Sequence, residues 1–183
     1  MQTAWSLVLG KVRIVRGGKQ GEGRGGRTPP ILRPMHFDLV DRVLELTPDR
    51  IVTLKQVTAA EEYLQDHFPT FPVLPGVLML EAMVQAGRRL LEERFGRSGP
   101  PLVLGKVRAL KYGRFVKPGA SLRVEVTLGK ASETEGFDLK GEGLVIEPGW
   151  PQSDPLPVGV SGRFFLRPAR VTRPEFVVTN AGH

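Results

Sequence analysis

The chain contains no cysteine. That absence excludes a disulfide framework, thiolate zinc sites and a cysteine nucleophile, and it suits a reducing cytoplasm. No stretch approaches the ~20 consecutive apolar residues that a membrane-spanning helix needs. The first fifteen residues, "MQTAWSLVLGKVRIV", lack the basic start and small-residue cleavage site of a secretory signal. No G-x-S-x-G offers a hydrolase nucleophile elbow, and no H-x-x-x-H pair offers a metal site. His36 and His183 stand far from other plausible ligands, so no metal is expected. There is no internal repeat.

Acidic residues are scarce in one place only. The chain of 183 residues has 26 basic and 19 acidic side chains, a net charge of +7. Seven basic residues (Lys11, Arg13, Arg16, Lys19, Arg24, Arg27 and Arg33) face Glu22 alone in residues 1–34, so nearly all the excess belongs to that segment. A basic, glycine-rich segment can bind phosphate backbones nonspecifically, but no aromatic interleaving or recognition helix accompanies it, which argues against a nucleic-acid-binding protein. Its "GKQGEGRGG" lacks the strand–loop–helix context and Lys-Ser/Thr ending of a phosphate loop. Within it, "RGGKQGEGRGGRTPP" has too little apolar surface to offset its ordering entropy and is expected to be disordered. An arginine-rich, acid-poor leader has the composition of an organellar transit peptide. The simpler expectation is a start codon called too early, with Met35 as the natural first residue. The expected organisation is thus an extension over 1–34, one domain over 35–170 and a tail over 171–183.

From Met35 the pattern tightens. "FDLVDRVLELT" and "RIVTLKQVT" read as two strands joined at Pro48-Asp49, and "AAEEYLQD" as a short helix. Pro72 and Pro75 hold the chain extended, and Pro75 suits a first helical turn. A helix should run from Gly76 to Phe95, where Gly96 stops it. From Val77 to Ala86 it is apolar nearly all round, which predicts burial on every side. Four strand-like runs follow: "PLVLGKVRALKYGRF", "ASLRVEVTLGKAS", "GFDLKGEGLVIE" and "VGVSGRFFLRP", with Tyr112 and Phe115 expected as packing residues. Long strands with one buried helix predict an α+β fold, an antiparallel sheet wrapped around that helix.

Only Glu81 and Gln85 interrupt the apolar stretch. Apolar surroundings would keep a carboxyl able to donate a proton near neutral pH. Gln85, four residues on, shares its face and can orient it. Gly76 is placed to offer a backbone N–H to a carbonyl oxygen at the helix start. Glu81 lies about 7–8 Å further along the axis. His67, in a loop stiffened by prolines, can act as a general base. Base, acid and oxyanion donor together suit proton abstraction beside a carbonyl with loss of a β-leaving group. Plainer readings stay open: His67 as hydrogen-bonded scaffold, Glu81 satisfied by backbone or a neighbouring basic residue, and Gly76 as the only residue that fits.

The stretches "LVDRVLELTPDRIVTLKQVT", "HFPTFPVLPGVLMLEAMVQAG" and "KYGRFVKPGASL" resemble the β-hydroxyacyl-acyl-carrier-protein dehydratases of FabZ type, which have the hotdog fold. The resemblance covers roughly residues 36 to 168, with fourteen residues from His67 to Glu81. It implies reversible dehydration of a (3R)-3-hydroxyacyl thioester to the trans-2-enoyl thioester in fatty acid biosynthesis. His67 and Glu81 would be catalytic and Gly76 N–H the thioester-oxygen donor, with Gln85, Phe68, Pro75 and Val77 binding substrate. It further implies a substrate carried on the phosphopantetheine of an acyl carrier protein, no other cofactor, and a cytoplasmic homodimer sharing its site between subunits, with dimers able to form hexamers. Asp66 and Thr70 stand where glycines are common in the family, and "KPGAS" replaces a usual P-G-D-Q. Another hotdog thioester enzyme, such as a thioesterase or a coenzyme A hydratase, and a silent acyl-binding subunit are the alternatives.

Overall fold

The computed structural model describes residues 37–68, 70–96, 100–132 and 135–169. The basic leader with His36, the tail 171–183 with His183, and Pro69 of the central motif lie outside the described residues. No described helix is long and apolar enough to cross a membrane.

Strands β1 (Arg42–Leu46) and β2 (Arg50–Gln56) form a hairpin turning at Pro48-Asp49. A 3₁₀ turn (Glu62–Leu64) leads to helix α1 (Gly76–Phe95), followed by β3 (Leu102–Tyr112), β4 (Ser121–Ser132), β5 (Gly136–Ile146) and β6 (Val158–Pro168). All pairings are antiparallel, in the order β1-β2-β4-β5-β6-β3. The chain therefore leaves α1, lays β3 at the far edge of the sheet, and returns to place β4 beside β2. This sheet curled on a single long helix is the expected hotdog arrangement.

The strands form where the sequence alternates. In β5, Phe137, Leu139, Gly141, Gly143 and Val145 point inward and are buried, while Asp138, Lys140 and Glu142 point out. That is the period of two expected of a sheet with one face on the core. Glycines let the helix approach closely. A Cβ on Gly141 would lie 2.6 Å from Met83 Sδ, and one on Gly87 would lie 3.3 Å from Leu139 and Phe164. Met79, Met83, Ala86 and Leu90, at helical spacing, fill the core with Ile51, Leu122, Val124 and Leu166.

Several expectations change. The first strand begins at Arg42 rather than Phe37, because Asp38 Oδ1 accepts Val40 N–H and bends that segment. "AAEEYLQD" yields only the 3₁₀ turn, a run too short to meet the cost of helix nucleation. Pro75 is the N-cap of α1, one residue before the first helical turn. The helix is not buried on every side. The sheet covers one side, and Val77 is 68% exposed on the other.

Candidate functional site

The site is built on the turn that leads into α1. Lys55 of β2 is nearly buried and reaches Glu61 at 2.8 Å and Asp41 at 3.4 Å, which ties the 3₁₀ turn to the sheet just before His67. Downstream, Leu74 N–H donates to Val116 O at 2.8 Å, fixing the segment before the helix. His67 is held between these two anchors.

His67 Nδ1 lies 3.0 Å from Val73 O. A carbonyl oxygen can only accept, so Nδ1 carries the hydrogen, and in the neutral ring Nε2 is left with its lone pair. The ring is half-buried, and Phe68 packs edge-on against it with centroids 4.4 Å apart. Phe68 itself has φ 56° and is 58% exposed. A bulky residue in the left-handed region carries strain of order 1–3 kcal/mol, here immediately beside the candidate base.

Six residues beyond Pro69, Pro75 caps α1 through its carbonyl, which accepts Leu78 and Met79 N–H at 2.9 and 3.1 Å. No side chain caps this end, so the N–H groups of Gly76 and Val77 have no intrahelical acceptor and lie at the positive end of the helix dipole. Gly76 is required here for space: a Cβ would lie 2.9 Å from Tyr112 Cε1. Tyr112 is thus a wall of the site. It was expected to be a packing residue, as was Phe115, but Tyr112, at the end of the edge strand β3, is 50% exposed and Phe115, in the loop beyond it, 56%. Burial of one side of the ring pushes the Tyr112 phenol above its ordinary value. Phe115 instead meets Phe71 edge-on at 5.9 Å.

Glu81 follows on the face of α1 away from the sheet. Its side chain is 33% exposed and has polar partners rather than the wholly apolar surroundings expected. Gln85 Nε2 donates to its Oε1 at 3.1 Å, the orienting contact expected from the spacing. Arg88 Nη1 reaches the same oxygen at 3.3 Å. Arg88 was not among the residues expected at the site. Its position seven residues, two turns, after Glu81 was the available signal.

The candidate residues fall into two groups. His67, Phe68, Pro75, Gly76 and Val77 surround the helix start; Glu81, Gln85 and Arg88 line the next turns. Among the described residues, no hydrogen bond or ion pair joins His67 to Glu81. Nor does any cluster of three His, Cys, Asp or Glu side chains offer a metal site. A cavity of about 470 Å³ opens elsewhere, on the sheet among Lys106, Lys140 and Arg163, and contains none of these residues. The arrangement offers an imidazole acceptor, free helix N–H groups and a fixed carboxyl.

A family profile described as the FabA-like domain matches residues 32–146. The chain is also similar to curated relatives named 3-hydroxyacyl-[acyl-carrier-protein] dehydratase FabZ. That of Oenococcus oeni is 44% identical over 99 residues, 54% of this chain and 71% of the relative. That of Natranaerobius thermophilus is 43% identical over 108 residues, 58% and 74% of the two chains. That of Desulforamulus reducens is 40% identical over 116 residues, 61% and 82%. A solved structure of an uncharacterized protein from Erwinia carotovora subsp. atroseptica shares 18% identity over 69% of this chain and 90% of that one. Its TM-score of 0.49 is too slight a likeness to add to the fold described above.

Proposed function

The chain belongs to the FabA-like family, and on that premise we propose that it is a (3R)-3-hydroxyacyl-[acyl-carrier-protein] dehydratase of fatty acid synthesis, working in the cytoplasm. The observation that carries the reading is the His67–Val73 bond, which leaves Nε2 as a proton acceptor. In the proposed reaction Nε2 takes the C2 proton. The Gly76 N–H receives the thioester oxygen, on which negative charge develops. The Glu81 carboxyl protonates the C3 hydroxyl, which departs as water and leaves the trans-2-enoyl thioester. Phe68, Pro75 and Val77 bind the acyl chain beside Gly76, and Gln85 orients the acid. The substrate arrives on the phosphopantetheine arm of an acyl carrier protein, and the chemistry calls for no metal or further cofactor.

Base and acid belong in one site, yet they do not meet within the chain. We propose that a second copy completes it, so that His67 of each subunit faces Glu81 of its partner. Three features support this. Among the described residues the outer edge of β3 is unpaired. Val77 and Phe68 expose apolar surface at the site. The Glu81 side chain on α1 is itself one-third exposed. Assembly of three such dimers into a hexamer is a further step of the same proposal.

The test is to incubate the purified protein with a 3-hydroxyacyl carrier protein and follow enoyl formation. The expected result is turnover by the wild type and losses of at least ~10²-fold in His67→Ala and Glu81→Gln. Thioester hydrolysis without enoyl product would replace the dehydratase by a thioesterase, and unchanged rates in both variants would remove the site.

A further inference from the structure

We infer that Arg88 is a positioning residue for Glu81 and that, with Gln85, it decides which carboxyl oxygen delivers the proton. This rests on the dehydratase reading, in which Glu81 is the acid. Two donors converge on one oxygen: Gln85 Nε2 at 3.1 Å and Arg88 Nη1 at 3.3 Å, both on Oε1. With its lone pairs facing two N–H groups, Oε1 is the accepting side of the carboxyl. In the acid form that the proposed reaction requires, the geometry therefore assigns the transferable proton to Oε2, which has neither donor.

Both donors are anchored at their other ends. Gln85 Nε2 also donates to Phe37 O at 2.9 Å, and its Oε1 accepts Leu39 N–H at 2.8 Å. Arg88 Nε donates to Leu102 O, the first residue of β3, at 2.9 Å. Turning the carboxyl over would break two bonds to side chains that are themselves tied to backbone. The group is pinned from both sides, and Arg88 is the half of the pin that carries charge.

The charge acts during the reaction. The Oε2–H bond of Glu81 breaks as the substrate's C3–O bond breaks. That oxygen keeps the bonding pair, takes the proton and leaves as water. The C2 proton passes to His67 Nε2, and its electron pair becomes the new C2–C3 double bond. Glu81 is left as a carboxylate facing the Arg88 guanidinium, and a hydrogen bond between ionised partners is shorter and stronger than one to a neutral carboxyl. At rest the contact is long and both side chains are about a third exposed, so it adds little to stability. Its effect belongs to the rate.

The experiment measures steady-state kinetics on 3-hydroxyacyl carrier protein with the full chain, comparing Arg88→Ala, Arg88→Lys, Glu81→Gln and the doubles that combine either Arg88 change with Glu81→Gln. We expect Arg88→Ala to lower kcat about tenfold with KM within about twofold, the pattern of an interaction made in the transition state. Melting temperature should stay within about 2 °C of wild type. Because Arg88 acts through Glu81, its replacement should cost nothing further in the Glu81→Gln background. Arg88→Lys, which keeps a cationic donor, should recover part of the rate. The inference is overturned if Arg88→Ala turns over like wild type, or if it loses the same factor in both backgrounds. Should Arg88→Ala melt early, Arg88→Lys carries the same comparison: a loss that vanishes beside Glu81→Gln sustains the inference, and equal losses overturn it. Glu81→Gln at the wild-type rate would instead remove the acid itself, and is read separately from any Arg88 result.

Discussion

Gln85 makes three hydrogen bonds from one amide, and its partners fix which way it points. Leu39 N–H needs an oxygen and Phe37 O needs a donor, so Oε1 faces the first while Nε2 serves Phe37 and Glu81. The residue thereby joins the candidate acid to the segment that enters β1. Gln85→Ala should leave the nearly buried Leu39 N–H unpaired and destabilise the fold by about 1–2 kcal/mol, read from urea denaturation. Gln85→Glu is the sharper probe. It preserves shape and the bond to Leu39, yet it turns an oxygen toward both Phe37 O and Glu81 Oε1. It should be less stable than Gln85→Ala despite the closer shape; wild-type stability in Gln85→Glu would show that the amide does not hold this orientation.

At the level of elements, the sheet and α1 meet where side chains are missing. Gly141 on β5 faces Met83, and Gly87 on the helix faces Leu139 and Phe164. Gly141→Ala should cost about 1–3 kcal/mol, the range for overpacking a filled core. Adding Met83→Ala should make the Gly141 substitution cheaper, since the nearest atom is the methionine sulfur. A Gly141→Ala that unfolds at the wild-type urea concentration would deny the close approach. The bounds of α1 were legible because Pro75 and Gly96 punctuate it, and those of β5 and β6 because "ETEG" and the proline-rich "PGWPQSDPLP" set them apart. The order of the strands was not legible, since pairing across the sheet is decided by packing over long separations and leaves no local mark. The outward face of α1 was misread for a related reason: Val77 is as apolar as a core residue, and composition alone does not say whether the chain's own sheet or another surface covers it. Glu81 and Gln85 stood out as polar breaks in that run, whereas Arg88 blended with the charged turn that follows.

For the whole molecule, a shared site makes a prediction that no single-chain site makes. His67→Ala and Glu81→Gln, each slowed at least ~10²-fold alone, are mixed after denaturation and refolded together. If each site draws its base from one subunit and its acid from the other, a mixed dimer keeps one intact site of two. With random pairing about half the dimers are mixed, so about a quarter of the wild-type activity should return. A site confined to one chain would return none. The position of β3 also has a consequence for synthesis. Leu102 pairs with Pro168 and Tyr112 with Val160, so β3 finds its partner strand only after β6 has been made. At translation speeds of ~5–20 residues per second, the apolar helix and β3 wait for several seconds beside the ribosome with their cover incomplete. Until β6 emerges, a nascent chain of this topology holds the edges of β5 and β3 open, both waiting on the same strand.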